Sequence, residues 1–114
     1  MSLLNMLFGN NADREVNVDQ VADALKVESH TLLDVRELDE WNQARVKGSV
    51  HIPMSELHKR IAELPKGKPV YAICHSGSRS LYAVNVLEQA GFAESRSVAG
   101  GIAAWAKSGK PLTR

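Results

Sequence analysis

The chain has 114 residues, the usual size of one domain, and its 44% hydrophobic and 24% charged residues are typical of a globular protein. Fourteen Lys and Arg residues against 13 Asp and Glu residues leave a formal charge of +1, so no extended basic field favours a nucleic acid or an anionic membrane as partner. The single cysteine, Cys74, excludes an internal disulfide and any metal or iron–sulfur site built from several cysteines.

A flexible leader is predicted for residues 1–13, and a single folded domain for residues 14–114. The leader has no Lys or Arg before its short apolar patch, which is unlike a secretory signal. No apolar run in the sequence approaches the ~20 residues that span a membrane. We therefore expect a cytoplasmic protein that has no membrane partner.

The first part of the domain predicts two strands with a helix between them. Glu15-Val16 reads as a short strand, and Asn17 with Gln20 three residues later has the pattern of a capping box that begins a helix over residues 18–27. Residues 31–35 form a continuous apolar run with one carboxylate near its end. Such a run is typical of a strand buried on both faces.

The middle of the chain continues the alternation. Residues 37–44 are mostly polar and predict a short helix. A strand over residues 49–52 ends at Pro53, and Ser55 is expected to cap the next helix. The apolar residues of that helix recur at spacings of four and three: Leu57, Ile61 and Leu64.

The last part of the chain predicts two further strands and two further helices. Residues 70–73 form the clearest strand, and Cys74 follows it directly. A helix begins at Ser80 and ends at Gly91, which suits a left-handed cap, and Gly100-Gly101 joins the final strand to the final helix. These last two elements span residues 96–98 and 102–107. The alternation predicts an α/β fold whose parallel sheet is covered by helices on both faces, with ligands bound beyond the carboxyl ends of the strands.

Cys74 lies where this rule expects a site. The loop that follows it leads from a strand end to a helix start, so backbone N–H groups can surround the sulfur and the helix N-terminus adds positive partial charge. This arrangement predicts a lowered thiol pKa and a nucleophilic thiolate. We expect Cys74 to be the nucleophile, with binding by five loop residues: His75, Ser76, Gly77, Ser78 and Arg79.

The roles of two of these loop side chains stay open. Arg79 offers a planar fork of donors that could bind an anionic substrate, or it could brace the loop against a carboxylate such as Asp34 or Glu37. His75 could lend positive charge to the thiolate or simply be exposed to solvent.

Other chemistry-bearing residues are interpreted as structural. Asp34 is expected to accept loop N–H bonds at a strand end, and Arg36 to be a surface ion-pair partner. Trp41 could line the mouth of the site, whereas Trp105 is expected in the core. The four histidines show no metal-ligand spacing, so neither a metal nor a cofactor is expected.

Four segments of the sequence together resemble the single-domain rhodanese family, and the similarity runs from about Asn17 to Pro111. The segments are Leu33-Asp34-Val35-Arg36-Glu37 with Glu40-Trp41, Gly48-Ser49-Val50-His51-Ile52-Pro53, the Cys-x-x-Gly-x-Arg-Ser loop of residues 74–80, and Gly100-Gly101-Ile102-Ala103-Ala104-Trp105.

The resemblance implies a five-stranded parallel sheet flanked by helices and a sulfurtransferase that carries sulfur as a persulfide on Cys74. The implied partners are a small-molecule sulfur donor such as thiosulfate and a thiol or cyanide acceptor, with a protein as another acceptor. Two positions depart from the family pattern. Residues 45–49 lack the usual histidine, and His51 stands where asparagine is common. We expect both differences to be structural.

Two alternatives remain at this point. A phosphatase or arsenate reductase also uses a cysteine and a loop arginine, but the related phosphatases have five residues between the two, and here four separate Cys74 from Arg79. The other alternative is a noncatalytic rhodanese-like module that binds a partner or relays sulfur to it.

Overall fold

The computed structural model describes residues 14–114, so the leader predicted for residues 1–13 lies outside the described residues. Five strands form one sheet in the order β1-β5-β4-β2-β3, and every neighbouring pair is parallel. The strands are β1 (Glu15–Val16), β2 (Thr31–Asp34), β3 (Val50–His51), β4 (Val70–Ile73) and β5 (Arg96–Val98). The predicted five-stranded parallel sheet is confirmed, and β4 lies at its centre.

Helices connect the strands and cover both faces of the sheet. They are α1 (Val18–Lys26), α2 (Leu38–Gln43), α3 (Leu57–Arg60), α4 (Ser78–Gln89) and α5 (Gly101–Lys107), with short 3-10 turns at Met54–Glu56 and Ile61–Glu63. The capping box predicted for α1 is present, because the Gln20 N–H donates to Asn17 Oδ1 at 2.8 Å and the Asn17 N–H donates to Gln20 Oε1 at 3.0 Å.

The core consists of two apolar clusters, one on each face of the sheet. Successive side chains of a strand point to opposite faces, so Leu33 joins the cluster that includes Leu87 of α4, while Leu32 joins the cluster that includes Trp105 of α5. Both leucines are buried. Trp105 is also buried, which confirms its predicted place in the core.

Two predicted helix starts differ from the structure. Ser55 caps no helix, because it lies inside the Met54–Glu56 turn and α3 begins at Leu57 without a side-chain cap. Helix α4 begins at Ser78, two residues earlier than predicted, because Gly77 adopts a φ of +110° that turns the chain sharply into the helix. Within residues 14–114, no helix combines the length and apolar character needed to span a bilayer.

Candidate active site

The Cys74 sulfur lies at the centre of a tight loop between β4 and α4. Cys74 directly follows the central strand, and its side chain is fully buried. The Gly77 N–H donates to Sγ at 3.1 Å and the Ser80 N–H donates to it at 3.4 Å. The Ser80 hydroxyl also lies 3.4 Å from Sγ. The loop therefore directs several polar hydrogens at one sulfur atom, which is an arrangement suited to a negative charge.

Two opposing effects determine the pKa of the Cys74 thiol. Burial is the largest effect and raises this pKa, because it removes water from the charged form. The Ser80 hydroxyl and the backbone N–H groups of Ser80, Gly77 and Ser76 lower it. The hydrogen bonds outweigh burial, and the pKa of Cys74 lies below the ordinary value of a cysteine thiol. The thiolate is therefore favoured.

The N-terminus of α5 holds the loop from behind. The Ile102 N–H donates to the Cys74 carbonyl at 2.8 Å, and the Ala103 N–H donates to the His75 carbonyl at 3.0 Å. This approach requires glycine at position 101, where a Cβ atom would lie 2.2 Å from the Cys74 carbonyl oxygen. From the sequence, Gly100-Gly101 was interpreted only as a turn. The two adjacent glycines were the sequence feature that could have indicated a close contact between this turn and another segment of backbone.

Arg79 forms an ion pair that was not predicted from the sequence. Its two terminal nitrogens donate to Glu40 Oε1 at 2.7 Å and Glu40 Oε2 at 2.9 Å, so α4 is joined to α2 by a bidentate contact. Of the two roles left open for Arg79, this contact is the brace against a carboxylate, and its partner is Glu40 and not Asp34 or Glu37. The Arg79 guanidinium holds the pKa of the Glu40 carboxyl at about 2, and the pair is therefore ionised at neutral pH.

Asp34 does not bind Arg79 because it already binds Arg36. Both carboxylate oxygens of Asp34 accept bonds from the Arg36 side chain, the shortest at 2.8 Å, and Oδ1 also accepts the Arg36 N–H at 3.0 Å. The remaining guanidinium donors reach the carbonyls of Glu40 and Ala44. Arg36 was expected at the surface but is buried. Its burial is tolerated because its charge is paired and its donors are satisfied.

A cleft of about 380 Å³ lies next to the loop. Its lining includes His75 and Glu40, together with Arg36, Gln43, Ala44 and Ile102. His75, Ser76 and Ser78 are exposed at the loop surface, whereas Gly77 is buried. The structure places Cys74, His75, Ser76 and Gly77 in the loop, and Ser78 and Arg79 in the first turn of α4. The Cys74 side chain is buried, and those of His75, Ser76 and Ser78 are exposed.

Trp41 does not line this cleft, contrary to one expectation from the sequence. Its ring stacks on His51 at a centroid separation of 4.7 Å, and the Arg45 guanidinium lies 4.7 Å from the ring centroid. His51 Nε2 lies 2.7 Å from the Arg36 carbonyl oxygen, which can only accept, so the ring donates through this nitrogen. The two positions that depart from the family pattern therefore pack around Trp41 and do not touch the Cys74 sulfur. Across the described part of the chain, no group of three or more His, Cys, Asp or Glu side chains is arranged to hold a metal ion.

Fold and site together define a parallel α/β protein with one buried cysteine held in a strand-to-helix loop. The family model described as the rhodanese-like domain matches residues 17–108, and the chain belongs to this family. The resemblance noted in the sequence is confirmed.

Relatives of similar and of greater length share this domain. A sulfurtransferase of Allochromatium vinosum is 34% identical over 103 residues, which cover 90% of this chain and 94% of that protein. YrkF of Bacillus subtilis, named as a sulfur carrier protein, is 42% identical over 78 residues, but the match spans 68% of this chain and only 42% of YrkF. The crystal structure of a rhodanese-related protein from Thermoplasma volcanium superimposes with a TM-score of 0.81 at 35% identity, over 88% of this chain and 97% of that one.

Proposed function

We propose that this chain is a sulfurtransferase that carries sulfur as a persulfide on Cys74. The observation that carries the proposal is the set of hydrogen bonds at the sulfur, where two backbone N–H groups and the Ser80 hydroxyl converge on one buried atom. Membership of the rhodanese-like family and the sulfurtransferase and sulfur carrier names of two relatives support it.

The first half of the proposed reaction loads sulfur onto the protein. The Cys74 thiolate attacks the outer sulfur of a donor such as thiosulfate, and a new S–S bond forms. The S–S bond of the donor breaks, and its electron pair leaves with sulfite. The product is a Cys74 persulfide whose outer sulfur carries the negative charge.

The second half unloads the sulfur. A cyanide ion or a thiolate attacks the outer sulfur, the Cys74 S–S bond breaks, and its electron pair returns to Cys74 as the thiolate. With cyanide the product is thiocyanate. Because the hydrogen bonds at Sγ stabilise this thiolate, they make Cys74 a better leaving group in the second step. In the first step they raise the fraction of Cys74 that is present as the attacking thiolate.

The charges around the cleft favour a neutral or singly charged sulfur donor over the thiosulfate dianion. The two arginines beside the cleft are both neutralised, Arg36 by Asp34 and Arg79 by Glu40. A dianion would therefore meet paired charges rather than a free cation. We propose that thiosulfate serves as a sulfur donor in vitro and that a thiol is the acceptor in the cytoplasm. The reducing thiol pool there would keep Cys74 in its reduced form.

A partner protein is the second proposed acceptor. The name of YrkF describes a sulfur carrier protein, and a relative from Yarrowia lipolytica, 41% identical over 81 residues, is named an adenylyltransferase and sulfurtransferase. The match covers only 20% of the latter protein. A protein thiol would attack the outer sulfur of the persulfide, as a small thiol does.

Turnover assays on two substrates test the proposal. We expect thiocyanate release from thiosulfate and cyanide, complete loss of that release in Cys74→Ser, and no hydrolysis of an aryl phosphate. Aryl phosphate turnover that disappears in Cys74→Ser would instead favour the phosphatase alternative.

A further inference from the structure

A second buried serine lies behind the Ser80 hydroxyl. Ser97 of β5 is fully buried, and its Oγ lies 2.7 Å from Ser80 Oγ, which in turn lies 3.4 Å from the Cys74 sulfur. Among the described residues, the other polar contact of the Ser97 hydroxyl is the Gly77 carbonyl oxygen at 3.4 Å. The two hydroxyls and the sulfur therefore form a short chain that runs from the sheet to the reactive atom.

Counting protons shows how this chain is directed. A hydroxyl has one proton to donate, and Ser80 Oγ has three neighbours that could accept it: Gly77 O at 3.1 Å, Ser97 Oγ and Cys74 Sγ. The Gly77 carbonyl already accepts the Leu81 N–H at 3.2 Å. A Cys74 thiolate has no proton and can only accept. When Cys74 is ionised, both hydroxyl protons can form hydrogen bonds along this row of three atoms in one arrangement. In it, Ser97 donates to Ser80 and Ser80 donates to the sulfur.

Protonation of Cys74 changes this arrangement. A Cys74 thiol can donate its own proton to Ser80 Oγ, and the Ser80 proton then turns to the Gly77 carbonyl. The direction of the Ser80 hydroxyl is thus linked to the charge on the sulfur. When Ser97 donates to Ser80, it favours the arrangement in which Ser80 donates to the sulfur. The reason is that a hydroxyl that accepts a hydrogen bond donates a stronger one.

We propose that Ser97 is a positioning residue, whose hydroxyl orients Ser80 so that the Ser80 O–H donates to the Cys74 sulfur. This inference rests on the proposed function for its catalytic meaning, since it concerns the thiolate that attacks the donor and leaves from the persulfide. Ser97 itself does not touch the sulfur. Its effect on Cys74 passes through Ser80.

Titration of the thiolate by ultraviolet absorbance tests this directly, because Cys74 is the only cysteine in the chain. We expect Ser97→Ala to raise the titration midpoint by about half a pH unit or more, because Ser80 loses the hydrogen bond that directs its O–H at the charged sulfur. Ser95→Ala is the matched control. Ser95 is equally buried on the same segment, but its hydroxyl donates to the Phe92 carbonyl at 2.7 Å and lies outside the chain of hydroxyls. A Ser97→Ala midpoint equal to that of the wild type would overturn the proposal.

A double variant separates a relay through Ser80 from a general disturbance of the loop. Ser80→Ala should raise the midpoint more than Ser97→Ala does, and adding Ser97→Ala to it should cause no further shift. An additional shift of equal size in the double variant would show that Ser97 acts by another route.

An isosteric pair covers the case in which Ser97→Ala does not fold. Threonine keeps the hydroxyl and valine replaces it with a methyl group of similar size, so Ser97→Thr should titrate at a lower pH than Ser97→Val. Equal midpoints for these two variants would overturn the proposal. The titration needs no sulfur donor, so it decides the role of Ser97 even if Cys74 forms no persulfide. The absence of a persulfide would contradict the proposed function and leave the role of Ser97 unaffected.

Discussion

Burial and hydrogen bonding act on the Cys74 sulfur in opposite directions, and the balance between them sets its reactivity. Burial alone would leave an inert thiol with a raised pKa. The groups that reverse this are backbone N–H groups of the loop and one buried hydroxyl, none of which titrates. The thiolate is therefore stabilised by dipoles and not by a neighbouring group that gains or loses a proton.

His75→Ala tests whether the neighbouring imidazole is needed. His75 is exposed, and the groups that lower the Cys74 pKa belong to Ser76, Gly77 and Ser80. We expect the variant to change turnover by less than about fivefold, because an exposed charge contributes ~1 kcal/mol at most. In both proteins turnover should rise with pH as Cys74 ionises, with a midpoint below the ordinary pKa of a cysteine thiol. A return to the ordinary midpoint together with loss of turnover would identify His75 as the activator.

At the scale of elements, the site depends on three helix ends that meet around one loop. Helix α4 supplies donors to the sulfur, α5 binds the loop carbonyls, and α2 holds the Arg79 side chain through Glu40. The contacts of α5 and α2 join segments that are far apart in the sequence, whereas α4 follows the loop directly. A change on one helix should therefore alter the loop without touching Cys74.

The ion pair between α2 and α4 gives two opposite charge changes to compare. Glu40→Gln removes a negative charge near the cleft and keeps an oxygen for the Glu37 N–H, so the KM for thiosulfate should fall about threefold. Arg79→Ala leaves the Glu40 carboxylate unpaired, and the KM should rise by a similar factor. Both effects should shrink at high salt.

The pH range of the Glu40 contribution follows from its lowered pKa. The pair stabilises the loop fully above the ordinary carboxyl pKa of 4.5, and this contribution is lost as the pH falls towards about 2. At neutral pH the Glu40–Arg79 pair of the wild type is fully ionised, so steady-state kinetics at this pH compare each variant with a wild type in which the pair is formed. A shift of KM in the same direction for both variants would mean that the pair acts only as a brace.

Gly101→Ala tests the contact between α5 and the loop. A Cβ atom at this position would lie 2.2 Å from the Cys74 carbonyl oxygen, so the loop or the helix must move. We expect turnover to fall at least about tenfold, since small displacements of a positioned nucleophile are costly.

Gly109→Ala is the control, because Gly109 also has a positive φ, +83°, but a Cβ atom there would have no neighbour within 4 Å. Denaturant unfolding should show a loss of ~1–2 kcal/mol for the control, which should keep its turnover. Normal turnover in Gly101→Ala would contradict the proposed contact.

At the scale of the whole molecule, the sequence predicted the fold well because the local signals agree with each other. Apolar runs such as residues 31–35 identify strands buried on both faces, and the polar loop after residues 70–73 marks the carboxyl edge of the sheet. The Asn17 capping box and the Gly91 cap were also correct. These features depend on neighbours a few residues away.

The features that the sequence did not predict depend on distant residues. Glu40 and Arg79 are 39 positions apart, and Ser80 and Ser97 are 17 apart. The spacing of residues along the chain cannot aim long side chains such as that of Arg79, nor can it show which buried hydroxyls of different elements meet. The start of α4 was missed for a related reason, because the left-handed conformation of Gly77 is fixed by the loop that it closes.

The most direct test of the proposed chemistry is the intact mass of the protein after incubation with thiosulfate. We expect the wild type to gain the mass of one sulfur atom, to lose it again on addition of cyanide with release of thiocyanate, and to bind none when Cys74 is replaced by serine. A wild-type mass that stays unchanged with thiosulfate and with a persulfide donor would contradict a persulfide on Cys74, and a sulfur adduct that persists in Cys74→Ser would contradict Cys74 as its carrier.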